Sequence, residues 1–468
     1  MKYIRIMVIA LFSLLILAPL ATFNFEEGAI SEIDNRELTP NPFTKEKLAE
    51  PDNIKTEIEN YLTDRIGFRD DMIYTYTVLN DRLFHKMVHP SYSYGKDGCV
   101  FGAGLSVDTE YTDYHETFAD MVLNIQNYCD ERSIPFLFVF NPAKPAVYQE
   151  YIPDGINYNR DWVDQFLAAL DERGVRYVDN TKTLTEKKEE GEEVFNFKFD
   201  ANHWNDTGAF YGTNQMLEGM KEQLPSVHVN TQDEAVIREE LRDSLLVSEF
   251  PINEYIPVYT FNEEPDVSLT DVYKDEVEID ENYPTFEYYT NELRKEEGAP
   301  KALVFQGSYM NNYGYKFLAN SFSEYIYVHD YQNVMNFPYY FNIFQPECVI
   351  FEVAEYTFDD SYFSLEKMQN MHLNPTLEDA KASAAVMEEG QIDASAVKAE
   401  KGSALTKITW TTDKTPENVW CVLGKEYDMI STEGGYYVTV PNEIYEQYKE
   451  TLQIVSVEKD TMTSSTIR

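Results

Sequence analysis

Three short runs constrain this chain most: residues 135–140 (PFLFVF), 302–305 (ALVF) and 348–353 (CVIFEV). Each is almost wholly apolar and bounded by turn residues. A strand with one wet face alternates apolar and polar side chains, so runs like these are predicted to be covered on both faces, as in parallel sheets layered with helices. The chain between them supports this. Helical spacing is predicted over 111–132, 161–173 and 312–322, and further strands at 175–178 and 325–328. The alternation of helix and strand predicts an α/β layered domain.

The flanks read differently. Residues 6–23 are continuously apolar apart from Ser13 and Thr22, with Lys2 and Arg5 before them and Glu26 and Glu27 after. That length approaches a bilayer span, and the charge bias places the N-terminus inside. A cleaved signal peptide is the rival reading. No small-x-small site follows, so residues 1–24 are expected to be a transmembrane signal-anchor with the rest of the chain outside the cytoplasm. Residues 25–94 are expected to be a membrane-proximal helical region. An extended run at 35–43 (NRELTPNPF) leads into helical spacing from about residue 48, through Ile54, Ile58, Tyr61 and Leu62 and then Met72, Ile73, Tyr76, Leu79 and Leu83, with a break at Gly67. The α/β domain is assigned to 95–373. Within it, 186–193 is expected to be a charged hairpin or loop. Residues 225–300, acidic and rich in Tyr, are expected to be an irregular insertion. Residues 374–404, rich in Ala, Glu and Ser, are expected to be a linker, and 405–468 a small β-rich unit.

Charge excludes one class of function. With 38 Lys and Arg against 82 Asp and Glu, the net charge is −44, and such a field repels polyanions, so a nucleic-acid partner is excluded. The 35 Tyr residues fit broad, partly wet surfaces such as sugar-binding clefts, although Tyr also packs cores. The four Cys (Cys99, Cys129, Cys348, Cys421) form no metal or redox motif, and no metal or cofactor is expected. Their even number permits disulfides outside the cell.

The chemistry concentrates at 195–210, FNFKFDANHWNDTGAF. Asp200 and His203 are three apart. They precede Asn205, Asp206 and Thr207, whose short side-chain oxygens suit the first turn of a helix. An Asp beside an imidazole fixes its tautomer and leaves the other ring nitrogen free to take a proton. A nucleophile for that base is available at Ser308, predicted between the strand at 302–305 and the following helix, where N–H groups of a first turn can stabilise an oxyanion. Asp200, His203 and Ser308 thus form a candidate acyl-transfer triad. The competing readings are a turn Asp with a surface His, and a plain helix N-cap for Ser308.

These residues carry a resemblance. The chain resembles the SGNH-like O-acetyltransferases of exopolysaccharide assembly, the AlgX/AlgJ and DHHW type. The matching pieces, in order, are Asn35-Arg36, Asp64-Arg65-Ile66-Gly67-Phe68-Arg69-Asp70, Gly95-Lys96-Asp97-Gly98-Cys99-Val100-Phe101, Asn141-Pro142-Ala143-Lys144, Asp200 to Trp204, Gly307-Ser308-Tyr309, and Val349 through Glu355. They cover roughly residues 30–370. The resemblance implies an SGNH-hydrolase-like three-layer domain with permuted triad order, and Ser308, His203 and Asp200 as catalytic residues. Tyr309, Trp204, Lys144 and Asn141 are further candidates to line the substrate cleft or oxyanion site. It also implies a polysaccharide acceptor and a multi-pass membrane O-acyltransferase as acetyl donor. Two departures stand out. The family's Asp-x-His-Trp is here one residue longer, and its Gly-Asp-Ser-Phe is here Gln306-Gly307-Ser308-Tyr309, without the Asp. The expected function is an extracytoplasmic, membrane-anchored serine O-acetyltransferase. A polysaccharide esterase with the same residues, or a non-catalytic scaffold of an export complex, are the alternatives.

Overall fold

The computed structural model describes residues 2–31, 36–44, 54–89, 91–102, 105, 109–246, 250–262 and 267–467. Its centre is a seven-stranded sheet. The strands are β1 (Phe136–Asn141), β2 (Tyr177–Asp179), β3 (Val267–Thr270), β4 (Phe286–Asn291), β5 (Lys301–Gln306), β6 (Glu324–His329) and β7 (Cys348–Ala354). Their order across the sheet is β2-β1-β7-β5-β6-β4-β3. The ladder from β2 to β6 is parallel, while β4 runs antiparallel to both β6 and β3.

The apolar runs behave as their composition demands. All six residues of β1 are buried. Phe136, Phe138 and Phe140 enter one core layer, whereas Leu137 and Val139 enter the other. The first layer is covered by α1 (Asp113–Glu131) and α2 (Asp161–Arg173), and the second by α3 (Asp206–Gln223). Full burial of each such Phe contributes about 1.5–3 kcal/mol, so both faces of the central strands stabilise the fold. Helix α1 starts at a capping box: Thr112 Oγ1 accepts from the Tyr114 N–H, and His115 Nδ1 accepts from the Thr112 N–H at 3.2 Å.

Three expectations about organisation are corrected. Residues 225–300 are not one insertion. Part of the stretch forms a hairpin, Ala235–Ser244 with Pro251–Phe261, but β3 and β4 belong to the main sheet. Neither gives an apolar run: the side chains of β4, between β6 and the edge strand β3, are mostly half-buried and include two Tyr. Residues 374–404 are not a linker. They hold a helix (Leu377–Ser383) and two strands, Val386–Ile392 and Val397–Lys401, which pair with Thr461–Ile467 and Leu405–Thr411. Both are edge strands, one of a five-stranded and one of a four-stranded sheet, and their side chains are mostly exposed. An edge strand is held by backbone pairing and needs no apolar alternation, so its composition resembles a linker's. Finally, much of the charged segment at 186–193 is helical: Asn180–Glu189 is a helix capped by Asp179.

The N-terminal helix Lys2–Ala21 is long and apolar enough to cross a membrane by length and composition. The helices Ile54–Asp64 and Arg69–Phe84 follow, broken around Gly67 as expected. The Gly67 N–H donates to Pro19 O at 2.9 Å, taking a carbonyl of the first helix's last turn, where helical partners run out. A Cβ on Gly67 would collide with Thr22, so only Gly permits this approach. Buried Arg65 donates to the carbonyls of Thr39 and Glu26. Asn35 and the helical start expected at residue 48 lie outside the described residues. Cys99, Cys129, Cys348 and Cys421 are buried free thiols.

Candidate active site

Asp200 and His203 lie on an irregular loop rather than directly after a strand. The loop closes on itself through one bridge, between Phe195 and Trp204, and ends at Asn205, whose side chain caps α3 by accepting from the Gly208 N–H at 3.0 Å. Other segments hold it in place. Glu254, from the hairpin, accepts the N–H groups of Phe197, Lys198 and Phe199 at 2.5–2.9 Å. Lys144 donates to the carbonyls of Val100 at 2.6 Å and Phe197 at 3.1 Å, and reaches Asp200 O at 3.5 Å.

Ser308 comes from the sheet. Strand β5 ends at Gln306, Gly307 makes the turn, and Ser308 opens a helical run. The run begins as a wide π-turn, Met310–Gly314, and continues as Tyr315–Ala319. A π-turn is rare and often marks a functional site. Here it carries Tyr313, whose hydroxyl donates to Asp200 Oδ2 at 3.0 Å.

The structure brings the three predicted residues together. His203 Nε2 is 2.8 Å from Ser308 Oγ, and His203 Nδ1 is 2.9 Å from Asp200 Oδ2. Asp200 is buried, which alone would raise its carboxyl. The adjacent His203 ring and the N–H groups of Asn202 and His203, which donate to Oδ1 at 3.0 and 3.1 Å, outweigh this and hold it below the usual carboxylate range. The ion-pair geometry fixes a proton on Nδ1 and leaves Nε2 to accept from the serine. Two clefts flank the array. Asn202, Tyr158 and Tyr356 border one, and Asn202, His203, Tyr313 and Arg242 border the other. Among the described residues, no group of three His, Cys, Asp or Glu is arranged to hold a metal.

The other four candidates turn inward. Trp204 is buried and donates through Nε1 to Tyr309 O at 3.0 Å. Tyr309 is buried, its hydroxyl 2.8 Å from the carbonyls of Pro142 and Asn202. Asn141 is buried against Glu352 and Asn180. Lys144 borders one cleft, but its ammonium is buried among carbonyls, and burial holds it below its usual range. The polar groups of all four are thus bonded to other parts of the protein, and of the four only Lys144 lines one of the two clefts. Sequence reading missed Tyr356, whose hydroxyl lies 2.9 Å from Ser308 Oγ and 3.3 Å from His203 Nε2. The available signal was its place just past the carboxyl end of β7, the edge at which open α/β sheets present ligands.

An Asp–His–Ser array assembled over the carboxyl edge of a mostly parallel sheet has the arrangement of a serine acyl-transfer triad. The family comparison agrees for the segment it reaches: residues 94–244 match the family described as "SGNH hydrolase-like domain, acetyltransferase AlgX". That segment contains Asp200 and His203 and ends before Ser308. Among solved structures, the chain is similar to the O-acetyltransferase domain of Pseudomonas putida AlgJ, at 16% identity over 60% of this chain and 99% of that one, with a TM-score of 0.42. It is similar to Bacillus cereus PatB1 with a sulfonyl adduct, at 16% identity over 57% of this chain and 96% of that one, with a TM-score of 0.44. A DHHW family protein from Eubacterium siraeum gives 15% identity, 62% and 98% coverage and a TM-score of 0.43. The comparison with curated proteins returned no match.

Proposed function

We propose that this chain is a serine O-acetyltransferase that modifies a polysaccharide outside the cytoplasm, anchored by the helix Lys2–Ala21. The observation that carries the reading is the unbroken chain from Asp200 through His203 to Ser308, at 2.9 and 2.8 Å. In the first half-reaction His203 Nε2 takes the Ser308 proton as Oγ attacks the acetyl carbonyl of the donor. Nε2–H then protonates the leaving group, and an acetyl-serine remains. In the second, a sugar hydroxyl gives its proton to Nε2 and attacks the acetyl carbon. The ester forms on the sugar, and Ser308 regains its proton. In this reading, N–H groups of the helical turn opening at Ser308 hold the oxyanion of both tetrahedral intermediates. By family analogy, a multi-pass membrane acyltransferase delivers the acetyl group.

A second reading rests on exposure. Ser308 and His203 are only partly buried, so water can reach the acyl-serine, and hydrolysis competes with transfer. Burst kinetics of the detergent-solubilised chain with an activated acetyl ester test the shared intermediate. A burst lost in Ser308→Ala supports it. Product analysis with sugar acceptors present then separates transfer from hydrolysis. Absence of a burst, together with failure of a phosphonate probe to label Ser308, supports a scaffold instead.

A further inference from the structure

Directly behind the proposed nucleophile lies a second acidic feature that the mechanism does not use. Glu352, in the middle of the sheet on β7, is fully buried. Its Oε2 accepts the Gly307 N–H at 2.8 Å, and its Oε1 accepts Asn141 Nδ2 at 2.7 Å. Asn141 Oδ1 in turn accepts from Asn180 Nδ2 at 2.7 Å. A relay of three side chains therefore ends on the N–H of the residue that immediately precedes Ser308. Asp330, just past the end of β6, is fully buried as well. A Cβ on Gly307 would lie 3.5 and 3.7 Å from the Asp330 carboxyl oxygens and 3.8 Å from Glu352 Oε2, so both acids converge on one point beneath the turn. An Asp at this position, as in the Gly-Asp-Ser-Phe pattern, would aim a third carboxyl at the same point.

We infer that Glu352 and Asp330 form a proton-sharing pair that positions the nucleophile turn, and that the turn keeps its geometry only while the pair holds one proton. The inference rests on the proposed role of Ser308. Two carboxylates this deep in the protein cannot both ionise without strong mutual repulsion. Burial first, and then the repulsion of Asp330, pushes Glu352 up to about 8, and burial raises Asp330 as well. The groups facing the pair are few. His329 Nδ1 lies 3.1 Å from Asp330 Oδ1, and Asn141 and the Gly307 N–H face Glu352. Tyr331 and Tyr356 lie close enough to feel the charge. No Lys or Arg is among the groups that shift either acid. Loss of the last proton would set two negative charges against Gly307, offset only in part by the polar groups around them. Glu352 and Asp330 are positioning residues, since neither touches Ser308 Oγ.

The test is the rate at which a fluorophosphonate probe labels Ser308 in the full chain, measured from pH 5 to pH 9.5. The expected wild-type labelling rate falls on the alkaline side with a midpoint near 8. In Asp330→Asn the alkaline fall disappears, because a lone Glu352 carboxylate carries at most the one negative charge that the wild-type pair already holds at neutral pH. In Glu352→Gln labelling at pH 7 slows about tenfold or more and the alkaline fall disappears, since an amide cannot accept both N–H groups. A wild-type profile that stays level to pH 9.5, or a fall that persists in Asp330→Asn, overturns the inference, and both can be read even where Glu352→Gln does not fold. Labelling that fails at every pH overturns the role of Ser308 itself.

Discussion

The two halves of the site are built by opposite means. Ser308 is delivered by regular structure: a buried parallel strand, one Gly and a helical turn. His203 and Asp200 sit on a loop without regular structure, fixed by Glu254 and Lys144 from other parts of the chain. The acids behind each half diverge in the same way. Asp200 and Glu352 are both buried, and each accepts N–H donors. Asp200 faces an imidazole that can carry positive charge, and its carboxyl is held low. Glu352 faces another acid, and its carboxyl is pushed high. Burial raises both; the imidazole and N–H donors around Asp200 reverse that shift, whereas the acid beside Glu352 adds to it.

The largest expected effect lies on the regular half. Ser308→Ala should abolish the acyl burst, with far-UV circular dichroism unchanged; a residual burst would falsify the assignment. Asp200→Asn, on the loop half, should lower the acylation rate by about 10³–10⁴-fold through loss of the correct His203 tautomer. Full activity in that variant would mean that the loop only decorates the serine. Glu254→Gln weakens three N–H contacts to a charged acceptor and should cost about 1.5–3 kcal/mol of stability, read by urea denaturation. A near-zero change would show that Lys144 alone pins the loop. Linkage separates the two acids next. An unfolded Glu352 loses its proton near 4.5, whereas the folded one holds it to about 8. Between these values the folded state binds more protons, so stability falls as pH rises from about 4.5 to 8, and Glu352→Gln should flatten that slope. Asp200 acts oppositely: its folded carboxyl ionises below 3.8, so its contribution is present above that value and is lost on acidification. The smallest effect is expected for Tyr313→Phe, which removes one bond to Asp200 and should slow acylation by about three- to tenfold.

The regular half was legible in the sequence, and the irregular half only in part. The runs at 135–140, 302–305 and 348–353 became β1, β5 and β7 because apolar residues in a short bounded stretch have few alternatives. Asp200, His203 and Ser308, which the fold brings together, could be nominated because their chemistry and flanking signals are local. What holds them is not local. Glu254 lies 54 positions from Asp200 in the chain, and nothing in its neighbourhood marks it as a loop clamp. Trp204 and Tyr309, adjacent in sequence to His203 and Ser308, and Asn141 and Lys144, taken from the resemblance, have their polar groups bonded within the protein, which depends on contacts far apart in the chain. The edge strands at 386–392 and 397–401 lacked an apolar signature for the reason that edges lack one. Tyr356 was missed because a lone Tyr after a strand is commonplace until the chain folds it against Ser308.

The clasp at Gly67 has a mechanical consequence. A first helix joined to the rest of the chain by a slack tether would let everything beyond it tumble. Here the peptide at Pro19 is bonded to Gly67, and the chain at Asn24 to Arg65 O at 2.8 Å, so the helix Lys2–Ala21 is coupled to the helices Ile54–Asp64 and Arg69–Phe84 at their junction. Tyr94, on the short hairpin that follows, meets Asp81 of the last of these helices at 3.1 Å. The first helix therefore has a bonded route, through the Gly67 junction and the last of these helices, to the residues that follow Phe84.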